Sequence, residues 1–277
     1  MKLSSRTKAL FICISIVFFI YSVSLVVPFI FILVNSFKSN LEFIFDVWAF
    51  PKHFSFSNYK FVFENYNMGG MFANSLWVTI MGTLISMISC CVTAYVLARY
   101  KFHGSKILIS VAMAAMIIPS LGTLSATYKL MRMLKLIDNI FGILVLYAGP
   151  FGTNFLLMYS YFKTVSWTYA EAAKMDGANN FTIFFRIMLP QARGGLIAVG
   201  FLQMIGVWND YFTPFMYMPN LKTVATGLQD LSVNATNTGA YTQMFAAMFI
   251  SILPLLILFA VFHKSIMENT ISGGLKG

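Results

Sequence analysis

The chain has 277 residues, of which 58% are hydrophobic and 10% are charged, and its mean hydropathy is +0.76. So few polar side chains cannot cover a folded chain of this size in water, which excludes a soluble globular protein and indicates an integral membrane protein. The net charge of +10 does not indicate nucleic-acid binding, because the sequence has no basic stripe with interleaved aromatic residues.

Six apolar runs are each long enough to form a membrane-spanning helix, since a bilayer core of roughly 30 Å needs about 20 helical residues. The short alternating segments of a membrane barrel are absent from the sequence, so the backbone must satisfy its hydrogen bonds within helices. We therefore predict an all-α polytopic membrane protein with six transmembrane helices. The runs are 9–34, 71–98, 107–128, 139–162, 194–218 and 241–262.

The first run follows Lys2, Arg6 and Lys8, and it is longer than the apolar core of a secretion signal, so we predict a retained helix. Lys and Arg collect on the cytoplasmic side of membrane proteins. With both termini in the cytoplasm, twelve of the 19 basic residues lie inside. The connection at 129–135 goes against the rule, because it places three basic residues outside. We predict one transmembrane domain over 1–277, with cytoplasmic segments at 163–193 and 263–277.

Residues with catalytic or metal-binding potential are scattered along the sequence. Cys13, Cys90 and Cys91 all fall inside apolar runs, and two adjacent cysteines do not form an ordinary structural bridge, so we predict no disulfide and no metal site. The three histidines lie in separate connections, and no hydrolase, zinc-protease or phosphate-cradling motif is present. We predict no catalytic residue and no cofactor in this chain, which therefore cannot hydrolyse ATP by itself.

A charged segment, EAAKMDGANNFTIFFRIMLP at 171–190, separates the fourth and fifth runs. Thr168 and Glu171 have the spacing of a capping box, which predicts a short helix. Gly177 is suited to the left-handed conformation that ends a helix. Tyr169, Ala172 and Ala173 are expected to share one face, where the alanines let another backbone approach closely.

A second amphipathic stretch follows this turn. Apolar residues from Phe181 to Leu189 recur at helical spacing, so we expect the stretch to lie on the transmembrane bundle until Pro190 ends the helix. The two parts together predict a helix–turn–helix projection on the cytoplasmic face. An ordinary interfacial connection with a solvated charged face is the alternative interpretation.

The fifth run is the most polar and the most interrupted of the six. An ionisable residue within a membrane faces a cavity or a partner, because exposing it to lipid costs about 3 kcal/mol. Trp208 offers a ring for stacking beside the hydroxyl-binding groups of Asn209 and Asp210. We predict that these three residues line a substrate path together with Gln203 and with Asn154 of the fourth run. In the alternative, Asn209 and Asp210 hold helices together or lie near the outer interface.

The charged segment closely resembles the EAA loop of permeases from ATP-binding-cassette importers, in which Glu-Ala-Ala, two residues and Asp-Gly-Ala precede an apolar stretch that ends in Ile-x-Leu-Pro. The stretch NSLWVTIMGTLISMISCCVTAYVLARYKFHG, the WND at 208–210 and the GGLKG at 273–277 are similar to the sugar-importer branch of the maltose-permease type. Ser166 departs from the pattern, since the family usually has a proline there.

The resemblance implies the permease subunit of an ATP-driven, binding-protein-dependent sugar importer, with type I importer architecture, in the cell membrane of a prokaryote. It implies a second, different permease subunit, two ATPase subunits that hold ATP and Mg, and an extracytoplasmic sugar-binding protein, with an oligosaccharide as the substrate. On the same basis the residues that couple to the ATPase are Glu171, Ala172, Ala173, Asp176 and Gly177, joined from the tail by Gly273, Gly274 and Lys276.

Two other classes of function stay open at this point. A secondary transporter or channel driven by an ion gradient would use intramembrane charges to couple to the ion. The six runs contain a single Asp, which is few for such a role. A membrane enzyme would need a nucleophile, a base or metal ligands clustered at one depth, and the sequence indicates no such cluster.

The distribution of basic residues predicts which side each connection faces. A cysteine in place of Lys174 should react with a membrane-impermeant thiol reagent only from the cytoplasmic side, and one in place of Asn58 only from outside. The measurement is labelling of intact cells compared with inverted vesicles, and the reverse pattern would overturn the orientation.

Overall fold

The computed structural model describes residues 5–117 and 120–274, and all the regular structure in these residues is helical. A short 3₁₀ turn covers Ser120–Thr123, and a π-helical segment covers Ile183–Met188. In chain order the α-helices are α1 Ser5–Ser36, α2 Asn40–Phe45, α3 Ser57–Asn65, α4 Met68–Arg99, α5 Ser105–Ile117, α6 Leu124–Met133, α7 Gly142–Tyr147, α8 Thr153–Thr164, α9 Thr168–Met175, α10 Asn180–Thr182, α11 Leu189–Gln191, α12 Arg193–Asn209, α13 Phe212–Tyr217, α14 Val224–Thr238 and α15 Tyr241–Gly274.

Three helical stretches in the described residues are long and apolar enough to cross a membrane: Leu10–Ser36, Met68–Arg99 and Tyr241–Lys264. They lie within α1, α4 and α15 and correspond to the first, second and sixth predicted runs. Each exceeds the length of about 20 residues that a bilayer core requires. The lengths of these helices therefore agree with the membrane-protein class predicted from composition.

The fourth and fifth predicted runs are not unbroken helices. The fourth is divided into α7 and α8 by the non-helical residues 148–152, where Pro150 has no N–H to donate and Gly152 has φ +151°. The fifth is divided at the non-helical residues Asp210 and Tyr211, and the Asp210 side chain accepts a hydrogen bond at 3.0 Å from the Thr213 N–H in the first turn of α13. The third run contains α5, the 3₁₀ turn and α6, with residues 118–119 outside the described part.

The described residues form two compact units, one made of 5–69 and 227–254 and the other of 70–226 and 255–274. In the first unit, α1 exposes apolar side chains on all sides, and none of its most apolar stretch is buried within this chain. A helix that is apolar all round belongs in lipid or against another subunit.

A buried polar network fixes the connection that follows α1. The Lys38 side chain is only 1% exposed, and its ammonium group donates to the carbonyl oxygens of Asp46 and Val47, each at 3.0 Å. The Asn58 amide donates to the carbonyl oxygens of Ser36 and Lys38, each at 2.8 Å. Burial lowers the pKa of Lys38, and the nearby carboxylates of Asp46 and Glu42 offset part of that shift.

The same network reaches the start of α15. The Thr242 hydroxyl donates to Asn40 Oδ1 at 2.6 Å, and Asn58 Oδ1 lies 3.3 Å from that hydroxyl. Asn58 is therefore buried, so it is a poor position for the labelling experiment, and the exposed residue Lys60 on the same helix replaces it.

The network predicts that Asn58 matters for stability. We expect Asn58→Leu to lower the free energy of unfolding by about 2 kcal/mol, because two backbone carbonyls and a threonine hydroxyl lose a buried partner. The measurement is thermal unfolding of the purified protein in detergent. Asn65→Leu is the matched control, since the Asn65 amide makes one exposed bond to Phe61 of its own helix. Equal stability of the two variants would contradict the role given to the network.

The second unit has a core rich in aromatic and methionine side chains. The ring of Tyr95 on α4 lies 5.5 Å from Phe162 on α8 and 4.8 Å from Phe184 in the π-helical segment. Met158 and Met188 are fully buried in the same cluster. This core holds the segment between α8 and α12 against the cytoplasmic end predicted for α4.

Candidate functional site

The predicted EAA loop, 163–193, begins with the short helix α9. The capping box predicted at Thr168 is wrong, because Thr168 is the first helical residue and the N-cap, Trp167, makes no side-chain hydrogen bond. The Thr168 hydroxyl is engaged elsewhere, since it accepts from Ser166 Oγ at 3.1 Å. Ser166 Oγ in turn accepts from the Thr168 N–H at 3.4 Å, so a serine turn introduces the helix at the position where the family usually has proline.

The end of α9 has the predicted geometry. Gly177 has φ +83°, which confirms the left-handed conformation expected there. The Gly177 N–H donates to the Lys174 carbonyl at 3.0 Å, and the Ala178 N–H donates to the Ala173 carbonyl at 2.9 Å. These two bonds make the glycine-terminated helix end that satisfies the last free carbonyls.

The helix presents two alanine-containing faces. Ala170 and Ala173 are buried in the aromatic core, whereas Tyr169 and Ala172 are exposed. The expected grouping of Ala173 with Tyr169 and Ala172 is therefore wrong, because positions 170 and 173 point into the core. Met175, at the end of the helix, is 90% exposed. The outer face is thus an exposed surface with apolar and charged side chains.

The charged residues of the predicted motif lie on this outer side. Glu171, Lys174 and Asp176 are all exposed. The side chains are therefore available to a second protein, and the short helix holds them in fixed relative positions. Gly273 and Gly274 of the tail lie at the end of α15, and Lys276 lies outside the described residues.

The stretch 180–191 continues as one helical piece through the π-helical segment. The Leu189 N–H donates to Phe184, five residues earlier, and Pro190 then continues the helix rather than ending it as expected. A widened turn of this kind relieves the clash that a proline ring makes with the preceding turn. Ile183, Phe184 and Met188 are buried, but Phe181 is 76% exposed, so the predicted stripe is only partly correct.

A cation and an indole join α4 to α9. The Arg99 guanidinium, at the last residue of α4, donates to the Val165 carbonyl and lies 5.7 Å from the centre of the Trp167 ring. The Lys174 ammonium lies 5.8 Å from the same ring. Both are cation–π distances. Neither Arg99 nor Trp167 was predicted as a site residue, although the place of Trp167 directly before the helix was an available signal.

A second group of predicted residues meets at a polar cavity. Asn154 on α8 donates through its amide to Gln203 Oε1 on α12. Both residues line a cavity of about 400 Å³, together with Ser86 and Cys90 of α4 and the non-helical residues 149–152. Sequence analysis missed Ser86 and Cys90, because small residues in an apolar run carry no positional signal.

The remaining predicted path residues have structural contacts. Asp210 Oδ2 accepts from the Tyr147 hydroxyl at 2.9 Å, and Asp210 Oδ1 accepts from the Thr213 N–H in the first turn of α13. Trp208 is buried, with its ring 6.0 Å from that of Phe72. The exposed Asn209 amide donates to the Ile205 carbonyl of its own helix. These contacts favour the alternative in which this group holds helices together, and a substrate role for it stays a prediction.

Comparison with known proteins agrees with this arrangement of apolar helices around a motif-bearing segment. Residues 90–267 match the family described as the binding-protein-dependent transport system inner membrane component. The match covers more than half of the sequence, so the chain belongs to this family of membrane permeases.

Individual relatives are similar over nearly the whole chain. The diacetylchitobiose uptake system permease protein NgcG of Streptomyces coelicolor is 30% identical, over 92% of this chain and 85% of its own length. The arabinooligosaccharides transport system permease protein AraQ of Bacillus subtilis is 28% identical, over 96% of each chain. A chain in the crystal structure of a bacterial ABC transporter for import of the acidic polysaccharide alginate has a TM-score of 0.80 at 27% identity, covering 95% of this chain and 99% of that one.

Close packing of α12 on α8 predicts a sensitive glycine. A Cβ at Gly195 would lie 2.5 to 2.8 Å from ring atoms of Tyr161, so we expect Gly195→Val to destabilise the protein by about 2 kcal/mol. Thermal unfolding in detergent measures the change. Gly206→Val on the same helix is the control, because no atom lies within 4 Å of its added Cβ. Tyr161→Ala should restore part of the lost stability, and a lack of any rescue would contradict the packing explanation.

Proposed function

We propose that this chain is the permease subunit of an ATP-driven, binding-protein-dependent importer of an oligosaccharide. The geometry of the EAA loop is the observation that carries the proposal. A short helix with an exposed charged face is anchored in the core of its own subunit by Ala170 and Ala173. The names of the relatives, which include permeases for diacetylchitobiose and arabinooligosaccharides, support a carbohydrate as the substrate.

The partners follow from this function. The sequence has no phosphate-cradling motif, so ATP-driven transport needs ATPase subunits, and we infer two of them, which bind ATP and Mg. We also infer a second permease subunit of different sequence and an extracytoplasmic sugar-binding protein. The fully exposed apolar surface of α1 supports a neighbouring subunit or lipid around this helix.

Coupling is proposed to run from the outer face of α9 into the helices. An ATPase that contacts Glu171, Ala172, Asp176 and Gly177 moves α9 as a rigid piece, since its buried face is packed. The motion reaches α4 through the Arg99 contacts with Val165 and Trp167 and reaches α8 through the aromatic core. Ala173 belongs to the buried side of this joint, and the tail residues Gly273, Gly274 and Lys276 are proposed as a second contact with the ATPase pair.

The proposed topology keeps six membrane passes and cytoplasmic termini in a prokaryotic cell membrane. Three passes are the long apolar helices, and each of the other three is built from shorter helices. Two examples are α7 with α8 and α12 with α13. The EAA loop at 163–193 and the tail at 263–277 then lie in the cytoplasm within one transmembrane domain. The basic-residue distribution supports this orientation.

An ion-driven transporter is the less supported alternative. Asp210 is the one carboxylate in the six apolar runs, and its oxygens already accept from the Tyr147 hydroxyl and the Thr213 N–H. A coupling carboxylate has to exchange an ion or proton during transport. The two hydrogen bonds of Asp210 favour a structural role for its carboxylate instead.

Gly177→Val tests the coupling role of the loop. We expect the variant to insert into the membrane but to lose sugar uptake, because a β-branched residue is strained at φ +83° and the end of α9 would move. Uptake and ATPase co-purification are measured in vesicles that contain all partners. Glu171→Lys should also weaken ATPase association, by reversing an exposed charge at the proposed contact.

Gly104→Val provides the matched control. Gly104 also has a positive φ, of +91°, and open space around an added Cβ, but it lies in the connection between α4 and α5. Its variant should keep coupling despite comparable backbone strain. Normal uptake and ATPase association in both Gly177→Val and Glu171→Lys would show that the loop is only a connection.

A further inference from the structure

The break in the fourth apolar run lies at a place where membrane proteins tolerate non-helical backbone. Residues 148–152 are not helical, and the N-terminus of α8 at Thr153 has no side-chain cap. Within a bilayer, irregular backbone is stable only where it is buried in protein or lines a water-filled cavity. Interrupted membrane helices are also typical of substrate-binding sites in transporters.

The break lines the polar cavity of about 400 Å³ described above. This volume falls within the range of about 300–1,000 Å³ that is usual for small-molecule sites. Polar groups enter it from three helices: Ser86 from α4, Thr153 and Asn154 from α8, and Gln203 from α12. The cavity is therefore a converging polar site within an otherwise apolar group of helices.

The Asn154–Gln203 pair has the hydrogen-bonding capacity that a hydroxyl-rich ligand requires. Their mutual bond uses one amide hydrogen and one carbonyl oxygen. Asn154 Oδ1 and the Gln203 NH₂ group make no other hydrogen bond within the described residues, and both side chains line the cavity, so the first can accept from a ligand and the second can donate to it. A sugar hydroxyl can donate to the first and accept from the second.

The charges near the cavity disfavour an acidic ligand. None of the described residues that line it is charged, so a buried carboxylate would have no cationic partner. The Asp210 carboxylate lies 2.9 Å from the hydroxyl of Tyr147, a lining residue, and would repel an acidic sugar. The N-terminus of α8 contributes only a partial positive charge, which is smaller than the full charge that it would have to balance.

We propose that this cavity is a binding subsite, within this subunit, for one ring of an uncharged sugar, with Asn154 and Gln203 as its specificity-determining contacts. The inference rests on the proposed sugar-importer function and adds the place of contact and the charge class of the substrate. It separates this chain by substrate charge from the structurally similar alginate importer, whose substrate is an acidic polysaccharide.

The experiment uses the complete importer with all its partners in proteoliposomes. The probes are diacetylchitobiose, an arabinotriose and an alginate trisaccharide. Asn154→Leu combined with Gln203→Met should raise the half-saturating concentration of the imported neutral sugar about tenfold, the loss expected for two hydrogen bonds to uncharged groups. The sugar affinity of the isolated binding protein, which carries neither substitution, should not change.

Thr83→Val is the matched control. Thr83 is a buried polar residue of α4 whose hydroxyl has no partner among the described residues, and it does not line the cavity. Its variant should import like the wild type. If the wild type imports a neutral probe and the double variant does so equally well, the subsite is overturned and the proposed function stands. If the wild-type complex imports none of the probes, the proposed function itself fails.

A second measurement covers the case in which the double variant does not assemble. Thr153 is exposed and lines the cavity, so a cysteine there, in a chain with the native cysteines replaced, can react with a small thiol reagent. The imported neutral sugar should slow that reaction severalfold during turnover, whereas the alginate trisaccharide should not. Equal labelling rates with and without the neutral sugar, or protection by the acidic one, would contradict the proposal.

Discussion

The need to satisfy backbone hydrogen bonds inside lipid is the constraint on which the rest of this structure depends. It requires the long apolar stretches of α1, α4 and α15 to be continuous helices. It also gives meaning to the places where helices stop, because each interruption needs local hydrogen-bonding partners. At 148–152 the interruption borders a polar cavity, and at Asp210 a side chain accepts a backbone N–H from the first turn of the next helix. The breaks are therefore built sites. The sequence indicated that the fifth run is polar and interrupted, but it predicted the fourth run as one continuous helix.

The EAA loop shows how a short segment becomes mechanically stiff. Its helix α9 has only eight residues, and an isolated helix of that length is unstable in water. Burial of Ala170 and Ala173, the glycine-terminated end at Gly177 and the contacts of Arg99 with the loop provide the missing stability. Small residues on the inner face allow this close docking, so the outer face can present charges without being part of the core. A loop of the same sequence without those contacts would not transmit displacement.

The two proposed sites have different physical properties. The outer face of α9 is exposed and charged, which suits recognition of another protein and a salt-sensitive association. The cavity beside Asn154 and Gln203 is polar and has no charged lining residue, which suits a neutral ligand that exchanges one set of hydrogen bonds for another. Both lie in the same compact unit, 70–226 with 255–274, and both contact α4. In the proposed mechanism, α4 is the helix that would carry movement of the loop to the cavity.

The sequence by itself determined the membrane-protein class, the three long helices, the left-handed glycine at 177 and the family, because these depend on composition, run length, local backbone preference and motif spacing. It also identified Asn154 and Gln203 as candidate path residues from their polarity alone. Only the tertiary structure decided that they meet each other, that Asp210 bonds to Tyr147 and that Ala173 faces inward, since these facts depend on contacts between residues distant in the chain. Helix continuity through Pro190 was likewise not predictable, because a π-helical turn accommodates the proline only in a packed environment that supports the widened backbone.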